Sequence, residues 1–226
     1  MKFLTTCLLL LACTVAHAQQ TVNDRIFDKH HQLKLSVMAQ LDPVNPGWDL
    51  SYEFQYAKRW ASQVNYTWLT DHILAYATNR GEPPYISLEG RRIGIEQKFF
   101  YPEKRSVRVR EYFGLNLNYL ETRTVSKPDL KSKLEPGVFI PPAGTRSTDR
   151  YVFSTNFKFG FEIPLWRGFL LDMSGGPGIK YREVTNTYSN PDITEALVEW
   201  DILNRYNPTK EWTGTFTFDI KIGYMF

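Results

Sequence analysis

A period of two constrains this chain more than any other feature. Between 215 and 226, Phe216, Phe218, Ile220, Ile222, Tyr224 and Phe226 hold one parity, and Thr215, Thr217, Asp219, Lys221 and Gly223 hold the other. Successive side chains on a β-strand point to opposite faces, so this segment has one aromatic face and one polar, charged face. The pattern recurs along the chain. Leu33, Leu35, Val37, Ala39 and Leu41 alternate with Lys34, Ser36, Met38 and Gln40. Trp48, Leu50, Tyr52, Phe54 and Tyr56 alternate with Asp49, Ser51, Glu53 and Gln55, and Trp60, Val64, Tyr66 and Trp68 with Gln63, Asn65 and Thr67. Ile93, Ile95 and Phe99 face away from Arg92, Gly94, Glu96 and Lys98. Val109, Phe113, Leu115, Leu117 and Tyr119 oppose Arg110, Tyr112, Gly114, Asn116 and Asn118. Tyr151, Phe153, Phe157, Phe159, Phe161 and Ile163 oppose Ser154, Asn156, Lys158, Gly160 and Glu162. Finally, Phe169, Leu171, Met173, Ile179 and Tyr181 oppose Asp172, Ser174, Gly176, Gly178, Lys180 and Arg182.

With the segment at 215–226 these make eight strands, the even number that a closed antiparallel barrel needs. The links sort into two sets. Those after strands 2, 4 and 6 read as tight turns, at Ala57-Lys58-Arg59, Pro102-Glu103-Lys104-Arg105 and Pro164-Leu165-Trp166-Arg167. Those after strands 3, 5 and 7 are long, over 70–88, 124–149 and 184–210, while Asp42 to Gly47 is a short member of the same set. The expected fold is all-β: an eight-stranded, up-and-down transmembrane β-barrel with short periplasmic turns and long external loops.

Parity alone does not separate this barrel from a soluble one with the same alternation; the inventory of side chains does. An eight-stranded lumen is only just wide enough for side chains to fill it. Phe, Tyr and Trp dominate the apolar parity of the strands, and they are too bulky to share so narrow an interior. The opposite parity holds Lys34, Asp49, Glu53, Arg92, Glu96, Lys98, Arg110, Lys158, Glu162, Asp172, Lys180, Arg182, Asp219 and Lys221 among Gly, Ser, Asn and Thr. Those charges nearly balance, as charges must when they pair out of bulk water. The aromatic face is therefore expected outside, against lipid, and the charge network within. Trp48, Tyr56, Trp60, Trp68, Tyr101, Tyr151, Trp212 and Tyr224 sit at strand ends, where membrane barrels carry aromatic girdles.

The first residues, MKFLTTCLLLLACTVAHAQQ, combine Lys2, an apolar run through Val15 and Ala16-His17-Ala18. This is read as a signal peptide over 1–18, followed by a periplasmic tail over 19–31 and the barrel over 32–226; the apolar run is too short to span a bilayer. A buried N-terminal helix and a lipoprotein signal ending at Cys13 are the alternative readings. Cys7 and Cys13 both fall within this segment, so the exported chain is expected to have no disulfide and no cysteine metal site. Elsewhere no run of about 18 apolar residues offers a transmembrane helix. The formal net charge is +3, without the clustered basic surface of a nucleic-acid binder.

On these residues a resemblance can be named. Phe218, Ile220, Ile222, Tyr224 and Phe226 resemble the signal read by the barrel-assembly machinery of Gram-negative bacteria. The chain from 32 to 226 resembles the small eight-stranded outer-membrane barrels of the OmpX and OmpW type. It is most similar to the DUF3575-like barrels of Bacteroidetes, through Leu33-Lys34-Leu35, Gly175-Gly176-Pro177-Gly178-Ile179 and Ala18-Gln19-Gln20. The resemblance implies export by the Sec pathway to the outer membrane, with lipid and the assembly machinery as partners. It implies no defined activity.

Few segments suggest chemistry. Gly175-Gly176-Pro177-Gly178 lacks the strand-to-helix context of a phosphate loop. Pro177 predicts a bulge or break, and the inward glycines are expected to leave room for Arg110 or Arg182. Asp192 and Glu195 form a capping-box-like start, and Ile193, Leu197 and Trp200 recur at helical spacing. They predict a short amphipathic helix that covers the mouth, lies at the interface or contacts a partner. His30, His31 and His72 lack the serine two residues away that lipid A deacylases keep, and adjacent His30 and His31 cannot both point one way as metal ligands. The expectation is a non-catalytic barrel without cofactor or metal, its lumen plugged and its loops open to a surface partner. A narrow pore or small-ligand conduit is the alternative, followed by a lipid A-modifying enzyme.

Overall fold

The computed structural model describes residues 30–42, 45–70, 87–101, 109–126, 144–191 and 208–226. Its strands are β1 (His31–Ser36), β2 (Gly47–Ala57), β3 (Trp60–Leu69), β4 (Ser87–Phe100), β5 (Arg110–Ser126), β6 (Arg146–Pro164), β7 (Phe169–Tyr188) and β8 (Thr209–Met225). Each pairs antiparallel with its neighbour in sequence, and β1 pairs with β8 to close the barrel. At that seam Phe226 N donates to His31 O at 2.9 Å. The expected signal peptide, most of the N-terminal tail, His72, the turn at Pro102–Arg105 and the helix with Ile193, Leu197 and Trp200 lie outside the described residues.

One end of the barrel carries the β2–β3, β4–β5 and β6–β7 links and is called the turn end; the other is the loop end. The β6–β7 turn places Arg167 at φ 49° and Gly168 at φ 92°. The left-handed region is open to glycine without steric cost, which suits Gly168 to this bend. Leu165 N donates to Phe169 O at 2.8 Å, and Phe169 N to Trp166 O at 2.9 Å.

Several boundaries differ from the sequence reading. The first alternating run stops at Ser36, because the backbone turns into a 3-10 turn at Met38–Gln40. Ser36 Oγ accepts from Ala39 N at 3.1 Å, so Ala39, expected on the outer face, is buried. β4 ends at Phe100 and β5 begins at Arg110, and Tyr101 N still donates to Glu111 O at 2.9 Å. The links expected over 124–149 and 184–210 are shorter, because β5 and β6 extend to Ser126 and Arg146, and β7 and β8 to Tyr188 and Thr209. These extensions are ladders of Ser, Thr, Asn and charged residues. They are held by backbone pairing and by contacts such as Thr148 Oγ1 to Asn186 Oδ1 at 2.7 Å, so no apolar alternation marks them.

The β6–β7 ladder is interrupted opposite Gly176 and Pro177, while the register stays the same on both sides of the gap and β7 pairs with β8 throughout. The expected break is therefore present, without a bulge. The glycines do not make room for arginine. A Cβ at Gly176 would collide with the Phe157 carbonyl, and one at Gly178 with Asn156, so these positions let neighbouring backbones approach. Arg110 lies elsewhere, against Glu162 and Gln55.

The two faces divide by parity. On the outside, Trp48, Trp68, Phe157, Phe159, Trp212, Phe216 and Phe218 are all more than half exposed. All eight aromatic residues expected at strand ends are exposed. Leu171 is an exception on the outer parity: it is buried, flanked in register by Ile163 and Ile222. On the inside, Lys34, Glu53, Glu96, Lys98, Arg110, Lys158, Glu162, Asp172 and Lys221 are buried. Above the aromatic belt, toward the loop end, the outer surface changes to exposed ion pairs, Arg91–Glu121, Arg123–Asp149 and Lys210–Glu183.

Candidate functional site

The lumen is built in three levels. At the turn end, Ala61, Phe100 and Tyr112 form a buried apolar cluster, and Leu170 and Met225 are also fully buried there. This floor keeps water from the charges immediately above it. It comes from the inward parity, and Phe100 lies one residue beyond the alternating run read from the sequence.

The second level is an ionic core. Lys34 Nζ on β1 donates to Glu53 Oε2 at 2.7 Å, Glu162 Oε1 at 2.7 Å and Asp172 Oδ2 at 2.6 Å. Lys98 Nζ on β4 lies 2.8 Å from Glu53 Oε2, 2.8 Å from Asp172 Oδ2 and 3.3 Å from Glu162 Oε1. Arg110 on β5 forks onto Glu162, with its Nε at 3.1 Å, and donates to Gln55 Oε1 at 2.6 Å. Its guanidinium stacks over the Phe100 ring at 3.9 Å. Tyr112 OH donates to Asp172 Oδ1 at 2.7 Å, and Lys98 Nζ sits 4.1 Å from the centre of the Tyr112 ring. Lys34, Lys98 and Arg110 thus balance Glu53, Glu162 and Asp172 in charge. The three carboxylates offer oxygens within 4.8 Å of one another, the spacing that a metal ion uses. Here the cations among them are the two lysine ammonium groups.

The third level is looser. Lys158 Nζ donates to Glu96 Oε2 at 2.8 Å. Lys221 Nζ donates to Ser51 Oγ at 2.8 Å and lies 3.4 Å from Asp219 and 3.7 Å from Asp49. Arg92 reaches Asp42 at 3.4 Å, and Arg182 pairs with Glu211. Between the ionic core and the loop end lies a cavity of about 330 Å³, lined by residues including Asn65, Arg92, Asn116, Asn118, Lys158, Asp219 and Lys221.

The residues expected in one lumen network therefore separate. Lys34, Glu53, Lys98, Arg110, Glu162 and Asp172 share one cluster. Glu96 with Lys158, and Lys221 with Asp219, form smaller pairs above it. Arg92, Lys180 and Arg182 are only partly buried and stand nearer the loop end. Tyr112, Gln55, Asp42 and Glu211 complete the polar contacts. Inward parity marks Tyr112 and Gln55, whereas Asp42 sits in a link and Glu211 in a ladder that the alternation does not reveal. Phe218, Ile220, Ile222 and Tyr224 lie on the outer parity of β8, and Phe226 continues that parity one residue past its end. His31 points outward: its Nδ1 is 2.6 Å from Tyr52 OH, and its ring stacks on Phe54 and Phe226.

No family model matches this chain, and no curated protein matches it. Among solved structures it is similar to the crystal structure of a major outer membrane protein from Thermus thermophilus, at 13% identity and a TM-score of 0.37. That likeness covers 88% of this chain and 98% of the other. The barrel itself is defined by its strand register and its burial pattern.

Proposed function

We propose that the protein is a non-catalytic outer-membrane barrel of a Gram-negative bacterium, with its lumen closed by the ionic core and its interactions made through the external loops. The observation that carries this reading is the inversion of burial. Large aromatic side chains face outward while Lys34, Lys98, Glu53, Glu162 and Asp172 are buried. Water favours the opposite arrangement, because exposed apolar surface and desolvated charge are both unfavourable there. In a bilayer, a closed barrel satisfies its backbone between strands and turns its apolar side chains to lipid. The turn end is then periplasmic and the loop end external.

Export by the Sec pathway rests on the segment 1–18, and recognition by the barrel-assembly machinery on Phe218 to Phe226. The likeness to OmpX-type, OmpW-type and DUF3575-like Bacteroidetes barrels supports the same placement. Lipid surrounds the belt, an unidentified surface partner meets the loops, and nucleic acid has no role. The non-catalytic reading is supported by lumen carboxylates engaged with Lys and Arg and by the outward packing of His31 on aromatic rings. Planar-bilayer recording tests the plug: no conductance is expected, and discrete single-channel steps would refute it. Lipid A mass spectra from a deletion strain are expected to match wild type; a changed acylation pattern would restore the enzyme reading.

A further inference from the structure

We propose that the cavity above the ionic core is a binding site for a small, uncharged polyhydroxyl molecule of about monosaccharide size. That the cavity belongs to a membrane barrel rests on the reading above; the chemistry rests on the lining. At about 330 Å³ the cavity lies at the small end of ligand pockets, which run from roughly 300 to 1,000 Å³.

Three amides converge on it: Asn65 from β3, and Asn116 and Asn118 from β5. Gly94 of β4 lies in register between Asn65 and Asn118. A Cβ there would stand 3.0 Å from Asn65 Nδ2 and collide with Asn118 Oδ1, so the missing side chain lets both amides reach over β4. Asn118 Nδ2 donates to Asn116 Oδ1. Asn116 itself is 1% exposed, and its Nδ2 has no acceptor. A buried donor without a partner costs about 1–3 kcal/mol; Asn116 lines the cavity, and a turn of its side chain that brings Nδ2 to a ligand oxygen would relieve that cost.

The charges on the walls select against a charged guest. Arg92 is paired with Asp42, Lys158 with Glu96 and Lys221 with Asp219. An ionic ligand must compete with Glu96 for Lys158 or with Asp219 for Lys221, and breaking the buried Lys158–Glu96 pair leaves Glu96 desolvated, which is unfavourable. Hydroxyl groups donate and accept, so they match the amides and leave the pairs intact. Met38, Ala39 and Leu41, with Phe216 and Phe218 at the stretch of β8 beyond its pairing with β1, supply an apolar wall for the C–H face of such a molecule.

The test uses the full folded barrel in detergent micelles, with heat-shifted gel mobility confirming the fold. Saturation-transfer NMR and titration calorimetry with D-glucose and myo-inositol are expected to give saturable binding by at least one of them. Asn116→Leu removes the donor and fills space, and is expected to weaken binding at least about tenfold. Ala39→Leu fills the cavity from the link without touching a ladder, and is expected to do the same should Asn116→Leu fail to fold. No saturable binding of either probe, equal affinity in the folded variants, or a preference for glycine or inorganic phosphate would overturn the site. Bilayer recordings on the same preparation separate the two readings: a non-conducting barrel that binds neither probe refutes the site and leaves the plug standing.

Discussion

Lys34 and Arg92 belong to the inward-facing parity of one cylinder, yet their surroundings differ. The Lys34 side chain is 0% exposed and contacts three carboxylates, whereas that of Arg92 is 26% exposed and reaches Asp42 at 3.4 Å. The difference begins at the two ends of the barrel. Phe100, Tyr112, Leu170 and Met225 close the turn end, so charges above this floor must neutralise one another. Toward the loop end, the cavity keeps polar groups near solvent and lets ion pairs loosen. Equal formal charges therefore stabilise the two halves unequally, because removing one partner is costly only where water cannot replace it.

The largest effect is expected at the turn end. Lys34→Met leaves Glu53, Glu162 and Asp172 with one shared ammonium fewer, and is expected to cost about 3–5 kcal/mol, measured by denaturant unfolding in vesicles with gel mobility as the readout. A smaller cost would mean that water reaches the core. The next effect lies one level up. Lys158→Met strands Glu96, and is expected to cost about 3 kcal/mol, while adding Glu96→Gln recovers part of it. A purely additive double variant would show that the two side chains do not interact. Beside the cavity, Arg92→Gln is expected to cost about 1 kcal/mol or less, because its pair is longer and partly solvated. Smallest of all, Arg123→Gln on the outer rim is expected to leave the unfolding midpoint unchanged. A cost at Arg92 or Arg123 that equals that of Lys34→Met would erase the contrast between the two ends.

Much of this contrast follows from residue parity. Alternation alone puts Lys34, Glu53, Lys98 and Asp172 on one face and Phe157, Phe159 and Phe218 on the other. Parity does not give height along the barrel axis, which depends on strand tilt and stagger. Lys34 meets Glu162 and Asp172 at sequence separations of 128 and 138, and nothing local distinguishes these partners from Asp219. By parity Arg182 is equivalent to Arg110, but it lies toward the other end. The 3-10 turn after Ser36 is hidden because Val37, Ala39 and Leu41 continue the apolar parity after the backbone has left the strand. The upper ladders of β5 to β8 are hidden for the opposite reason. Above the belt both faces are polar, so the strands continue without alternating.

The inversion itself is tested most directly by a spin-label scan along β6 in lipid vesicles, in protein whose only cysteine is the one introduced. Labels at Phe153→Cys, Thr155→Cys, Phe157→Cys and Phe159→Cys are expected to collide with oxygen dissolved in the bilayer, and those at Ser154→Cys and Asn156→Cys to be shielded from it. Uniform accessibility, or oxygen contact confined to 154 and 156, would contradict a barrel with its aromatic side chains outward and its charges within.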